Sequence, residues 1–142
     1  IQKVVFSDES ELDSIGKYAF SYSSLPKLLI PSNTRIIGEF AFYNCDALKR
    51  IDISENSNLM FIDQFAFAFS SLKSFYVPES VVEISDYAFS SCQNLRIIEF
   101  SDNSKIRSIR FNILANSSIE IIIMPANAQK NYSNRSIWSL FK

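Results

Sequence analysis

A six-residue phrase returns down the chain at near-constant intervals, and this repeat constrains the fold more than any other feature. It reads Ile15-Gly16-Lys17-Tyr18-Ala19-Phe20, Ile37-Gly38-Glu39-Phe40-Ala41-Phe42, Ile62-Asp63-Gln64-Phe65-Ala66-Phe67 and Ile84-Ser85-Asp86-Tyr87-Ala88-Phe89. A fifth copy, Ile109-Arg110-Phe111-Asn112-Ile113-Leu114, is degraded. The last position of the phrase moves from Phe20 to Phe42, Phe67, Phe89 and Leu114 in steps of 22, 25, 22 and 25 residues. Self-similarity at such a period marks a solenoid, in which each coil buries its apolar side against its neighbours. The alternating steps make a double unit of 47 residues, kept by Pro31, Pro78 and Pro125, by Cys45 and Cys92, and by Ser7, Ser54 and Ser101.

Each phrase is followed by a polar turn and a short apolar run, and these runs predict strands at 4–6, 25–30, 48–53, 72–77, 95–100 and 119–124. Within a run the apolar residues fall at relative positions 1, 4 and 6, as in Leu48, Ile51 and Ile53. The last two keep the period of two that a half-buried strand requires. Coils that repeat one path place their strands parallel, about 4.8 Å apart. Short coils stop at a proline, which ends a ladder because it lacks the N–H. Long coils continue through Ser54-Glu55-Asn56-Ser57-Asn58 and Ser101-Asp102-Asn103-Ser104-Lys105. With only 2 Gly in 142 residues, the turning falls to Ser, Asn and Asp. On the side opposite the strands, the spacing of Ile, Ala and Phe in the phrase suits one turn of α- or 3₁₀-helix. Its Phe points inward, so that Phe20, Phe42, Phe67 and Phe89 stack as a spine.

The combined wording, Ile-x-x-Tyr/Phe-Ala-Phe, a polar loop with Cys, then Leu-x-x-Ile-x-Ile-Pro, resembles the BspA-type leucine-rich repeat. The stretch Asp86-Tyr87-Ala88-Phe89-Ser90-Ser91-Cys92-Gln93-Asn94-Leu95 carries the likeness most closely. The resemblance implies an α/β fold, a right-handed leucine-rich-repeat solenoid of about six coils with a parallel sheet on its concave face and short helical turns or loops on the convex face. It also implies the surface of a bacterium or parasitic protist and adhesion to host proteins. The repeat spans 1–125. Residues 126–142 depart from it, and Ile137, Trp138, Leu140 and Phe141 there suit a cap over the last coil. Because Ile1 enters mid-repeat, the chain is expected to be part of a longer polypeptide, and its open first edge is a template for self-association.

Several chemistries are set aside on composition. There is no His, so imidazole-based triads, dyads and metal sites have no central residue, and no enzyme is expected. No glycine-rich phosphate loop occurs. Asp8, Glu55 and Asp102 repeat at one position, but two coils separate them by about 10 Å, too far to share a cation. The same spacing keeps Cys45 and Cys92 apart, beyond the ~7 Å that a disulfide spans, so both are expected as buried free thiols. A net charge of −1 without a basic run argues against nucleic acid. No apolar stretch reaches the ~20 residues of a membrane span. No cofactor is called for.

Protein binding is what remains, and the strand register names the residues. With positions 1, 4 and 6 inward, one outward column is Lys3, Lys27, Arg50, Ser74, Ile97 and Ile121, and the other is Val5, Leu29, Asp52, Tyr76, Glu99 and Ile123. Both become apolar toward one end, which turn-making alone does not require, and exposed apolar patches mark interaction sites. The function this favours is a cell-surface or secreted module that binds a host extracellular-matrix or surface protein through the concave sheet. A spacer array without a ligand of its own stays open, as does an intracellular scaffold, which free thiols fit equally well. Asn116, Asn131 and Asn134 each begin a glycosylation sequon.

Overall fold

A computed structural model describes residues 1–7, 9–110, 112–126 and 128. The chain winds through two sets of parallel strands. The first set comprises β1 (Ser14–Ile15), β3 (Ile36–Ile37), β5 (Phe61–Ile62), β7 (Glu83–Ile84) and β9 (Ser108–Ile109), hydrogen-bonded in that order. The second comprises β2 (Lys27–Ile30), β4 (Arg50–Ile53), β6 (Ser74–Val77), β8 (Ile97–Phe100) and β10 (Ile121–Ile123). Here β2 pairs with β4, and β6 pairs with β8 and β8 with β10, all parallel. The long-strand ladder is thus interrupted between β4 and β6.

The parallel solenoid and the long strands agree with the repeat spacing. The second, two-residue strand in each coil was not expected: it is made from the phrase's own Ile and the residue before it. The expected first strand at 4–6 does not form: residues 2–7 make no ladder with β2 and line with it a cavity of about 560 Å³, while Val4 and Phe6 pack against the core.

The phrase itself is not helical. Among the described residues it forms linked tight turns, with positive φ at non-glycine residues: Tyr18 (59°) and Tyr22 (60°) in one coil, Phe40 (57°) and Asn44 (53°) in the next. Phe65, Phe69, Tyr87, Ser91, Asn112 and Asn116 continue the pattern, while neither Gly has positive φ. Left-handed backbone at such residues costs about 1–3 kcal/mol each, so something must offset it. The hydrogen bonds show what does. N–H groups alternate between closing a turn and reaching the next coil: Ala19 and Ser21 donate to Gly16 and Tyr18 C=O at 3.1 Å each, while Phe20 and Tyr22 donate to Ala41 and Tyr43 C=O at 2.8 Å each. The same two-way ladder continues from Phe42 to Ala66 (2.7 Å) and from Phe67 to Ala88 (2.8 Å). A helix would direct all these bonds along one coil. Stacked turns share them between coils, which is how a solenoid gains from each added repeat.

Inside, the phrase's last aromatic forms the expected spine. Ring centroids are 5.3 Å apart for Phe20–Phe42, 5.1 Å for Phe42–Phe67 and 5.3 Å for Phe67–Phe89, all stacked. Leu25, Leu48, Leu72 and Leu95 are buried on the strand side. Cys45 and Cys92 are free and buried, and each donates from Sγ to a carbonyl of the preceding coil, Phe20 O at 2.9 Å and Phe67 O at 3.1 Å. Serine also makes the turns at the coil corners. Ser57 and Ser104 N–H donate to Ser54 and Ser101 C=O, and their hydroxyls accept from Leu59 and Ile106 N–H.

Candidate protein-binding face

The alternation of β2 and β6, outward then inward then outward then inward, decides which side chains reach solvent. Leu28, Ile30, Phe75 and Val77 are buried, leaving Lys27, Leu29, Ser74 and Tyr76 exposed. In β8, Ile98 and Phe100 are buried, with Ile97 half-buried and Glu99 exposed. In β10, Ile121 and Ile123 are exposed on either side of half-buried Ile122. Arg50 is exposed and Asp52 half-buried on β4.

Register then assembles these residues into rows. Lys27 lies beside Arg50 and Leu29 beside Asp52. Across the interruption, Ser74, Ile97 and Ile121 form one row and Tyr76, Glu99 and Ile123 the other. Tyr76 (44% exposed), Ile121 (50%) and Ile123 (43%) give the β6–β10 end an apolar character broken by Glu99 and, at its edge, by Ser74. Leu29, 54% exposed, sits apart on β2. Lys3 and Val5 are exposed, but on a segment that forms no strand beside β2.

Electrostatics divides the face. Arg50 Nε lies 3.1 Å from Asp52 Oδ1, because residues two apart on a strand share a face, so its charge is partly met within its own strand. Arg96, just before β8, pairs with Glu120 at 3.0 Å. Exposed pairs of this kind contribute little stability, roughly 0–1 kcal/mol. Burial pushes the Cys45 and Cys92 thiols above their ordinary range, with hydrogen bonds from Ser23 and Ser70 opposing the shift. They are packing residues.

Two features escaped the sequence reading. Lys49 and Lys73 flank the long strands and extend the cationic end of the face. On the turn side, Tyr18, Phe40, Phe65 and Tyr87 form a second stacked column, at 5.0, 4.9 and 5.0 Å between centroids. An aromatic at the fourth place of the first four phrases was the available signal for that column. Of the sequons, Asn116 is exposed, and its carbonyl accepts from Gln93 Nε2 at 2.6 Å. Asn131, Asn134, Trp138 and Phe141 lie outside the described residues, as does Asp8. Among the described residues no group of three or more His, Cys, Asp or Glu could hold a metal, and no helix is long and apolar enough to cross a membrane.

Coils of 22 to 25 residues, each contributing one strand to a parallel face and, in all but the last, an inward Leu and Phe, define a leucine-rich-repeat solenoid. The chain belongs to the BspA-type leucine-rich repeat family: the family described as "BspA type Leucine rich repeat region" matches residues 13–135 in 6 copies. No curated protein is similar enough to count as a match. Among solved structures, a leucine-rich repeat protein of T. pallidum is 28% identical with a TM-score of 0.63, over 75% of this chain and 50% of that one. The pneumococcal vaccine antigen PcpA shares the fold at 22% identity and a TM-score of 0.62, over 77% of this chain and 35% of that one. The chain therefore corresponds to half or less of the length of either.

Proposed function

We propose that this module sits at the cell surface or outside the cell and binds a host or matrix protein through the outward face of its long strands. The observation that carries the proposal is the run of apolar side chains on the outward face of neighbouring strands, with Tyr76 on β6 and Ile121 and Ile123 on β10 exposed and Ile97 on β8 half-buried between them. Side chains that only needed to favour strands could have been Thr or Val beside charges. An apolar row in solvent is costly unless something covers it. Membership of a family linked to adhesion supports the same reading, as does the rigid scaffold that holds the rows in register. The rival reading, a spacer without a ligand, draws on Glu99 within the apolar end and on the Arg50–Asp52 pair at the other. It leaves Tyr76 and the three isoleucines unexplained.

The deciding experiment is affinity capture of matrix and cell-surface proteins with the wild-type chain, with Tyr76→Ala/Ile97→Ser, and with the corner variant Glu55→Ala/Asp102→Ala. Loss of an anchor of this type costs about 2 kcal/mol or more, a roughly 30-fold fall in affinity. The first variant is expected to lose the captured protein and the second to keep it. Equal retention by both would leave the spacer reading ahead.

A further inference from the structure

Four cations converge on one shallow depression at the other end of the same face. Lys27, Lys49, Arg50 and Lys73, with Pro26 and Ser74, line a hollow of about 330 Å³. Backbone bonds stack them coil on coil: Lys49 N–H donates to Pro26 C=O at 2.9 Å, Lys73 N–H to Lys49 C=O at 3.3 Å, and Lys27 lies in register with Arg50. Their Cα atoms are thus about 5 Å from the next coil's, close enough for like charges to repel.

Elsewhere the solenoid settles such stacking with acids. Lys17 meets Glu39 at 3.1 Å, Lys105 meets Glu79 at 3.1 Å, and Arg96, stacked directly after Lys73, meets Glu120 at 3.0 Å. In the hollow only Arg50 has a partner, Asp52. Among the described residues no carboxylate stands within ion-pair distance of Lys27, Lys49 or Lys73. These lysines gather on a chain whose formal net charge is −1. The hollow also lies across the interruption of the ladder, with Arg50 opening β4 on one side and Ser74 opening β6 on the other.

We propose that this hollow is an anion-reading subsite that receives the carboxylates of an Asp/Glu-rich polypeptide segment, whose adjoining apolar side chains rest on Tyr76, Ile97 and Ile121. The assignment rests on the protein-binding reading above and names the chemistry of the partner. A polypeptide is favoured because the surface changes from cationic to apolar across neighbouring strands: Ser74 at the hollow's edge is in register with Ile97 and Ile121. An acidic block followed by an apolar block matches that change. A uniformly sulfated chain would run from the lysines onto isoleucines. Ammonium groups, compact and strongly hydrated, suit carboxylates presented without a fixed bidentate geometry.

The test uses the intact chain and three probes: a synthetic peptide with a glutamate block followed by an apolar block, the same peptide with glutamine for glutamate, and a heparin oligosaccharide. Amide shifts by NMR and affinity by calorimetry are the readouts. The glutamate peptide is expected to shift Lys27, Lys49, Lys73 and Ser74. Its affinity should fall about tenfold in Lys49→Gln/Lys73→Gln, and severalfold when salt rises. Lys105→Gln, whose lysine already has its acid, should change nothing. If glutamate and glutamine peptides bind alike while Tyr76→Ala still weakens both, the subsite is overturned and the wider binding face survives. Should Lys49→Gln/Lys73→Gln weaken binding while Tyr76→Ala/Ile97→Ser does not, the subsite stands and the wider face falls. Heparin that displaces the peptide and binds more tightly in the hollow would overturn the polypeptide assignment, and no shift at millimolar peptide would overturn the subsite itself.

Discussion

Replacing Phe67 by alanine interrogates the stacked core at its centre. The ring has no solvent exposure and lies between Phe42 at 5.1 Å and Phe89 at 5.3 Å, with Phe75 tilted against it at 5.2 Å. The lost transfer of a buried aromatic side chain is worth roughly 2 kcal/mol. The void cannot collapse easily, because the coils on both sides are fixed by the turn ladder. At about 24 cal/mol per Å³, a residual void of roughly 80–100 Å³ adds about 2 kcal/mol more. Lost stacking brings the total to the upper part of the ~3–5 kcal/mol range for buried aromatic truncations. Phe20, half-buried and stacked only on Phe42, should cost about half as much on the same change. Urea denaturation of the two variants measures both values. A loss below ~1 kcal/mol for Phe67→Ala, or a larger one for Phe20→Ala, would refute a core built as a continuous aromatic column.

Three further expectations follow from single positions. A Cβ on Gly38 would stand 2.7 Å from Ile15 O, so Gly38→Ala should destabilise by about 1–3 kcal/mol, whereas Gly16→Ala, with nothing nearby, should be close to neutral in the same denaturation assay. Burial raises the thiols of Cys45 and Cys92, so the native state holds their protons longer than the unfolded chain does. Stability should therefore fall as pH rises above the ordinary thiol value of 9.0, and Cys92→Ser, sampled in parallel, should flatten that fall. Asp63 is raised by burial and then by the nearby Glu83 and Glu39 carboxylates, so stability should drop as pH rises from 3.8 through its native value. Asp63→Asn should remove that part of the pH profile and stabilise the protein at neutral pH.

The sequence revealed the inside of this molecule better than its convex side. Leu25, Leu28 and Ile30, and their equivalents in later coils, repeat with a period that only one packing satisfies, so strand register and the outward columns could be read from spacing. The phrase misled because Ile, Ala and Phe at short spacing also fit a helical turn. Tyr18, Phe40, Phe65 and Tyr87 instead take left-handed backbone, which propensity disfavours for such residues. Their conformation is set by bonds to the next coil, such as Tyr18 N–H to Glu39 C=O at 3.1 Å and Phe40 N–H to Gln64 C=O at 3.0 Å, which no local window contains. The cationic hollow was missed for a similar reason. Lys49 and Lys73 are each unremarkable in sequence, and only stacking beside Lys27 and Arg50 makes them a patch.

All functional assignments here depend on one claim, that adjacent coils stack in parallel with Leu29 directly beside Asp52 and both side chains outward. Introducing cysteines in pairs tests it. Neighbouring parallel strands place in-register Cα atoms about 5 Å apart, within the reach of a disulfide, and two coils place them about 10 Å apart, beyond it. Under mild oxidation, followed by mass spectrometry of the folded protein, Leu29→Cys/Asp52→Cys should cross-link rapidly and Leu29→Cys/Tyr76→Cys should stay reduced. The native Cys45 and Cys92, both buried, provide an internal standard of unreactive thiols. A cross-link in the second pair, or none in the first, would contradict the register and with it the face assigned to binding.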